Sequence, residues 1–517
     1  MSEYKLIVIG AGISGLSTAI AWLLNREGPV LVLEKEKAVG GCVASFARKG
    51  YRFDTVQVIP DMSDLLEYLG LDLALERYEG ILSRLFLVEG ANVRRFDIPA
   101  DGDAFEARLC ETYPSEARSI SRFFRFSLAM IDELEHLALE PSFLDILKIL
   151  LRCPRIIRTS GDTWKRYLAR FGFKDKTLIE TLDLFSSYAG LSGDRCAALL
   201  TVSAMATSLQ SSWRPKKAFV SAPFAMVKRI RELGGEVRTC TKVEELLIGD
   251  GKAVQGVVTG DGEKLYSRTV VSTVDSAVFL QTLIGQDCLN RSGAAYKKAA
   301  ENLKMSPSMI SIHAGVDDGF DLSSYGIDGA YNILSTGRAS HEASYENWRR
   351  GYADGTLNAD DFHIAFYSPS LQTKADKQTL VIHVTPVNAE NWIALRNQAR
   401  GEYETKKNTV AEQYLRLIES HVIPGLCRNI TYLDVATPAT FARYLGSPTG
   451  SCHDMMPVLS QFGLNRLPLR SPVKGLYHTK FSHGIWPAMH SGLQVMDMIT
   501  GGKVMNGGAR YVKRAES

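Results

Sequence analysis

The sequence predicts an α/β protein in which a parallel, dinucleotide-binding sheet, assembled from separated pieces of chain, carries an inserted α+β unit. Three observations lead there. The chain opens with a strand, a glycine-rich turn, a helix, a second strand and an acid. Strands of the same style return near residue 235 and again near the C-terminus. The segments between have helical and strand periodicities of their own.

The opening pattern is the most specific. Leu6-Ile7-Val8-Ile9 is an apolar run of strand length that feeds Gly10-Ala11-Gly12-Ile13-Ser14-Gly15. A helix-period segment follows, with Ile13, Leu16, Ile20, Leu23 and Leu24 on one side, and Val30-Leu31-Val32-Leu33 ends on Glu34. A lone G-x-G-x-x-G says little. Between two strands, with an acid 24 residues after Gly10, it is a dinucleotide-binding fingerprint. Gly10 allows the tight turn, Gly12 lets the backbone approach a diphosphate, and Gly15 lets helix and strand pack closely. The diphosphate would sit at the helix N-terminus, where free N–H groups and the dipole favour an anion. Glu34 would take ribose hydroxyls and repel a 2′-phosphate.

Bulk properties narrow the class. At 517 residues the chain exceeds one ordinary core, so two domains or more are expected. A net charge of +3 gives no argument for a nucleic-acid partner. The eight cysteines form no C-x-x-C pair and no zinc-type spacing, which points to free thiols, no metal and a reducing compartment. No signal peptide and no run of 18 apolar residues is apparent. A cytoplasmic protein is expected, with peripheral membrane contact left open and no indication of oligomeric state.

Next come Gly40-Gly41-Cys42-Val43-Ala44-Ser45 and Gly50-Tyr51-Arg52-Phe53-Asp54; the double glycine lets a loop pass close to a diphosphate. Residues 62–75 read as a short helix. From 76 to 214 the pattern is mostly helical, including Phe123, Phe124, Ile131 and Leu134 at three- and four-residue steps. Within it, the apolar stretch 143–151 precedes Arg152, Arg155, Arg158, Lys165, Arg166 and Arg170. That suits a membrane-surface helix, or equally a core helix with a solvated basic flank. Residues 223–233 read as a helix. Strands follow at 253–258, 264–266 and 269–273, separated by turns at Asp250-Gly251 and Asp261-Gly262. Residues 308–316, 362–368 and 379–386 read as strands of a second sheet, and 402–423 as a helix burying Val410, Tyr414, Leu417, Ile418 and Val422. The expected division is a discontinuous nucleotide-binding domain (1–75, 215–300, 456–510) and a substrate domain (76–214, 301–455), with a ligand cavity between them.

These features, in this order, resemble FAD-dependent phytoene desaturases, carotenoid isomerases and retinol saturases of the flavin-containing amine oxidoreductase superfamily. The resemblance spans nearly the whole chain. It rests on the initial fingerprint, Gly40-Gly41, Gly50 to Asp54, the Gly235-to-Val243 block, Thr437-Pro438-Ala439-Thr440 with Arg443-Tyr444, and Gly475-Leu476-Tyr477 to Ser491-Gly492. It implies a Rossmann-like FAD-binding domain of the glutathione reductase type with an inserted α+β substrate domain. By position, Gly10, Gly12, Gly15 and Glu34 would hold the ADP half of FAD, with Ser14 and Lys35 also cofactor-binding. Gly40 and Gly41 would pass by the diphosphate, Cys42 would also be cofactor-binding, and Val243 would reach the adenine through its backbone. Gly484, Pro487 and Ala488 would lie along the flavin, at a helix N-terminus able to stabilise negative charge on the reduced ring. The sequence departs from that pattern in three places. Cys42 stands where a basic residue is usual, Val56 where a glycine is, and His478 to Pro487 replaces a glycine run.

The chain has one dinucleotide fingerprint and no redox cysteine pair, which argues against a pyridine-nucleotide disulfide reductase. Electrons would pass between FAD and an apolar substrate in one cavity, forming, saturating or isomerising a C=C bond. His478, Lys480, His483 and His490 fall within 13 residues of the tail and are the candidate catalytic groups, His483 foremost because it precedes Gly484. A neutral imidazole could exchange a proton while flavin N5 takes a hydride. His453 and Arg443 are weaker candidates. Trp213, Phe219, Tyr367 and Trp392 would line a tunnel or simply fill the core. Two other readings share the fold: a flavin amine oxidase, whose usual G-E-x-[ST] motif the tail lacks, and a flavin-free prenyl-binding escort protein.

Overall fold

A computed structural model describes residues 4–25, 28–43, 45–54, 58–134, 137, 143–216, 218–249, 252–328, 331–337, 354–373, 375, 377–480, 484–502 and 504. Five parallel strands form one sheet in the order Glu236–Arg238, Val30–Leu33, Leu6–Ile9, Val270–Ser272 and Leu476–His478. Leu6 and Val8 pack beneath the helix Ile13–Asn25, while Ile7 and Ile9 pack on the opposite side with Val257, Leu265 and Phe279. Both faces are covered, which is why these strands read as unbroken apolar runs. An antiparallel sheet, Val243–Ile248, Val254–Thr259 and Lys264–Tyr266, lies on the second face. The Asp261-Gly262 turn joins its last two strands, with Gly262 at φ +86°. The Asp250-Gly251 turn lies outside the described residues.

A seven-stranded mixed sheet runs Ile430–Ala436, Ser308–Val316, Thr379–Val387, His363–Tyr367, Tyr331–Ser335, Ile81–Glu89 and Asn92–Pro99. Its central strands fall where the sequence places them. The helix Arg400–His421 covers one face and buries Val410, Tyr414, Leu417 and Ile418. The strands Tyr331–Ser335 and Ile430–Ala436 were not expected.

The reading of 76–214 as mostly helical needs correction at its start. Residues Ile81–Glu89 and Asn92–Pro99 form a β-hairpin on the edge of the large sheet. Leu85 and Leu87 pack on one side of the first strand and Phe86 and Val88 on the other, so no alternation marks it. Downstream the chain is helical as expected, from Gly102–Thr112 to Ala198–Gln210. The expected helix at 62–75 is shorter, Ser63–Leu69, and stops at Gly70, whose φ is +63°.

The apolar stretch forms the helix Phe143–Arg152, which is not a core helix: its outer side is apolar and exposed. Leu144, Leu150 and Leu151 are 67%, 58% and 81% exposed. Part of the basic flank is structural: Arg155 pairs with Glu133 at 2.9 Å, and Arg170 pairs with Asp162. Among the described residues, no helix is long and apolar enough to cross a membrane, and no group of His, Cys, Asp or Glu could hold a metal ion.

Candidate cofactor and active site

The C-terminal edge of the parallel sheet is where an open α/β sheet takes its ligand. There the three fingerprint glycines serve different ends. A Cβ on Gly10, at φ +103°, would lie 2.5 Å from Thr273 Oγ1, and one on Gly15 would lie 2.1 Å from the Gly10 carbonyl oxygen. Both are demanded by packing. A Cβ on Gly12 would meet nothing within 4 Å. The protein's own packing therefore does not explain Gly12; a ligand pressed against the backbone does, and FAD fits that cradle. The double glycine closes it, with the Gly40 amide donating to the Ala11 carbonyl at 2.8 Å and Gly41 over the Gly12 Cα.

Glu34 is buried at the end of its strand. Its Oε2 accepts the Ala11 amide at 2.8 Å and its Oε1 the Glu36 amide at 2.9 Å. This pins the carboxylate beside the glycine turn and leaves lone pairs for ribose hydroxyls. The Thr241 amide donates to the Glu34 carbonyl at 2.7 Å and the Cys240 amide to that of Glu36 at 3.1 Å. These bonds carry Val243 to the same rim. Lys35 bridges outward, donating to Glu36 and to the Tyr444 carbonyl, both at 3.1 Å. Cys42 is exposed.

The tail returns to this sheet through the strand Leu476–His478. The helix Ile485–Thr500 starts after Gly484, whose φ is +122°, and Pro487 falls in its first turn, where no intrahelical donor is needed. It crosses the helix Ile13–Asn25: Ser491 Oγ donates to Ser14 Oγ at 3.2 Å, and Ser17 Oγ to the Met489 carbonyl at 3.1 Å. Ser14 is thus at the crossing, while Gly484, Pro487 and Ala488 form the start of the helix that makes it.

A cavity of about 1000 Å³ opens beside the tail. Lys480, Trp486, Pro487, His490 and Ser491 line its inner end, with Trp213 and His453. Its outer end is walled by Ile146, Leu150 and Ile157, from the exposed apolar helix and its neighbour. His490 is stacked on Trp486, ring centres 4.9 Å apart, and burial holds its imidazole down at about 4.

The other sequence candidates divide. His483 lies outside the described residues. His478 is buried behind the cavity wall, stacked on Phe279 at 4.0 Å with Nε2 3.0 Å from Ser276 Oγ. Burial, helped by the charges of Lys480 and Arg466, holds it at about 3. Arg443 is exposed on the helix Pro438–Leu445. Of the four aromatics, Trp213 lines the cavity; Phe219, Tyr367 and Trp392 are core, with the Tyr367 hydroxyl donating to the Asp54 carbonyl at 3.0 Å.

Three polar groups escaped the sequence reading. Asp454 accepts the Ser276 amide at 2.9 Å and its hydroxyl at 2.6 Å. Burial and the neighbouring Asp275 push it up to about 6, against the pull of Lys480. His313 and His383 stand on adjacent strands of the large sheet. Burial holds them at about 4 and 3, His383 further lowered by the charges of His313 and His453. His383 Nδ1 lies 3.4 Å from the Tyr331 hydroxyl. Histidines inside apolar strands were the available signal, and His313 stood in a strand already read correctly.

A dinucleotide cradle, a helix N-terminus at the cavity and an apolar chamber define an FAD-dependent oxidoreductase. The chain belongs to the flavin-containing amine oxidoreductase family, whose model matches residues 13–359. It is similar to prolycopene isomerase 2 of an Oncidium hybrid cultivar, 25% identical over 513 residues covering 92% of this chain and 79% of that one. It is also similar to the lycopene-forming phytoene desaturase of Pseudescherichia vulneris, 24% identical, covering 88% of this chain and 90% of that one. A third relative is the all-trans-retinol 13,14-reductase of Danio rerio, 23% identical, covering 92% and 82%. Among solved structures, cyclohexylamine oxidase of Brevibacterium oxydans shares the fold with a TM-score of 0.58 at 15% identity, covering 97% of this chain and 99% of that one. A putrescine oxidase does so at 0.61 and 15%, covering 96% and 99%.

Proposed function

We propose that this enzyme forms, saturates or isomerises C=C bonds in an apolar polyene or isoprenoid-like substrate. One observation carries the reading: a single cavity of about 1000 Å³ joins Lys480, Trp486 and His490 at the tail to apolar walls that end at an exposed apolar helix. The curated relatives, named for carotenoid and retinol chemistry, support it. In the proposed division, 1–75, 215–300 and 456–510 hold FAD, and 76–214 with 301–455 hold the substrate. Gly10, Gly12, Ser14, Gly15 and Glu34 bind the ADP half, with Lys35, Gly40, Gly41, Cys42 and Val243 around it. Gly484, Pro487 and Ala488 lie along the ring.

Bound FAD supplies hydride acceptance or donation. The chain's own residues do the rest. The apolar walls exclude water. His490, neutral near pH 7, accepts or relays a proton at its imidazole, oriented by the stack on Trp486. Lys480 places positive charge at the inner end of the cavity, where it would offset an anionic reduced ring. His483 stands between them in sequence and is retained as a candidate. We place the enzyme in the cytoplasm, touching a membrane through the helix Phe143–Arg152, so that an apolar substrate reaches the cavity without crossing water.

Anaerobic titration of the flavin with polyenes and amines tests this reading. Redox-neutral or redox turnover of a polyene, with no bleaching by amines, is expected. Bleaching by amines alone would establish the amine-oxidase alternative, to which the solved neighbours lend only their fold.

A further inference from the structure

A second concavity, of about 550 Å³, adjoins the main cavity. Its polar lining is Thr163, Arg166, Asp194, Arg195, Lys304 and Ser460. Met456 and Leu459 belong to both concavities, so the two share an apolar wall. The charges within it are unequal. Asp194 is engaged by the Ser192 hydroxyl and lies 3.9 Å from Arg195, so these two largely offset each other. Arg166 and Lys304 are exposed, and neither side chain has a hydrogen bond or ion pair among the described residues. Yet the backbone of Lys304 is fixed: its amide donates to Gln461 Oε1 at 2.7 Å, and its carbonyl accepts from Gln461 Nε2 at 2.6 Å. Two cations without a side-chain partner among the described residues thus line one concavity together with Met456 and Leu459.

We infer that this concavity binds the phosphate of an anionic lipid headgroup and so orients the enzyme on a bilayer. The inference rests on the membrane contact proposed above and deepens it by naming the lipid chemistry. The Arg166 guanidinium can take two phosphate oxygens at once, and Lys304 adds a point charge. The surroundings select a lipid over a soluble phosphate. The outer end of the neighbouring cavity is walled by Ile146 and Leu150 of the helix whose Leu144 and Leu151 are 67% and 81% exposed. Leucines so exposed are suited to the acyl boundary, while the cations of a concavity joined to that cavity through Met456 and Leu459 are suited to the headgroup layer. Held by both, the protein turns the mouth of its main cavity toward the acyl region.

The test uses the full-length, FAD-loaded protein with sedimentation on two kinds of vesicle: phosphatidylcholine alone, and phosphatidylcholine mixed with phosphatidylglycerol. The wild type is expected to bind both, and the anionic vesicles more tightly. Arg166→Gln with Lys304→Gln should lose the anionic preference, about fivefold for each charge removed, while neutral-vesicle binding and FAD content stay unchanged. Leu144→Ser with Leu151→Ser should weaken binding to both. If the charge variant keeps its anionic preference, the headgroup site is wrong while the membrane contact survives. If the wild type binds neither vesicle, the membrane contact itself falls, and this inference with it. A thermal midpoint raised by inorganic phosphate in the wild type but not in the charge variant, with vesicle binding equal in the two, would replace the lipid with a soluble phosphate and overturn the assignment.

Discussion

Gly492 sits against Ser14 so closely that a Cβ built on it would lie 2.4 Å from the Ser14 carbonyl oxygen and 2.5 Å from Ser17 Oγ. This contact sets how near the tail helix can come to the fingerprint helix, and thus how the inner end of the cavity meets the dinucleotide cradle. Gly492→Ala forces the helices apart against backbone, which cannot yield as a flexible side chain would. The expected cost is about 1–3 kcal/mol. Thermal unfolding should show a lowered midpoint both with and without added FAD; an unchanged midpoint would mean that the crossing is looser than its geometry.

The glycines of the turn separate a packing role from a binding role. Gly10→Ala meets Thr273 Oγ1 at 2.5 Å with φ at +103°, so it should lower stability and FAD affinity together. Gly12→Ala meets nothing within 4 Å, so the apoprotein should keep its unfolding midpoint. Its FAD affinity should fall tenfold or more, a loss of about 1.4 kcal/mol for each factor of ten. Calorimetric titration of the apoprotein with FAD reads this directly. Equal affinity in wild type and Gly12→Ala would place the diphosphate elsewhere.

Glu34→Ala removes the acceptor of the Ala11 and Glu36 amides as well as the proposed ribose contact. Leaving such donors unpaired costs about 1–3 kcal/mol. Glu34→Gln keeps one acceptor oxygen and should recover part of the stability but less of the FAD affinity, because the amide offers the ribose hydroxyls a weaker, uncharged acceptor. Affinity unchanged in both variants would remove Glu34 from the ribose.

What the sequence made legible follows from where each residue's information is stored. Gly10 to Glu34 is local: turn, helix start, strand and acid are contiguous, and the same short stretch builds the cradle. The strand Ser308–Val316 is equally local, because its apolar pattern carries its own boundaries. The hairpin at Ile81–Pro99 was hidden because burial on both faces of its first strand erases the two-residue period that marks a strand. The candidate site divides the same way. Lys480 and His490 are close in sequence and both line the cavity, whereas His478, two residues before Lys480, ends a strand and turns into the core against Phe279. Asp454 could not be read at all. Its elevated proton affinity is made first by burial that only the assembled fold supplies, and then by Asp275, 179 residues away in sequence.

Acid should unfold the protein steeply. His313, His383, His478 and His490 are held neutral, at about 4, 3, 3 and 4, against an ordinary value of 6.5. Because their folded values are depressed, each contributes stability fully above pH 6.5 and loses it as pH falls toward 3 to 4. The slope is roughly 1.4 kcal/mol per pH unit for each histidine. Asp454 works the other way. Its folded value is raised to about 6 from 3.8, so between those values the folded state holds a proton that the unfolded chain releases. Near pH 5 these five groups together should therefore take up about three protons on unfolding. Asp454→Asn removes the offset and should steepen the fall to about four, while His313→Asn should flatten it to about two. Denaturant midpoints measured from pH 7 to pH 4.5 check both signs.

His490 stacks on Trp486 at the inner end of the cavity with its value held at about 4, so at neutral pH it is unprotonated and enters the reaction as an acceptor, not as an imidazolium donor. His490→Phe keeps an aromatic ring against the indole and removes the acceptor. Flavin content and the unfolding midpoint should be close to wild type, while the rate of the substrate step falls about 10²- to 10⁴-fold. The pH profile makes the test specific. If His490 is the group, the wild-type rate should stay level as pH falls through 6.5 and decline only toward about 4, and the residual rate of the variant should lack that decline. His490→Gln restores an acceptor without a titrating ring; partial recovery with a flat acid limb would separate proton transfer from the stack. A limb at 6.5 that persists in His490→Phe would transfer the role to a more exposed histidine, and His483 would be the first to examine.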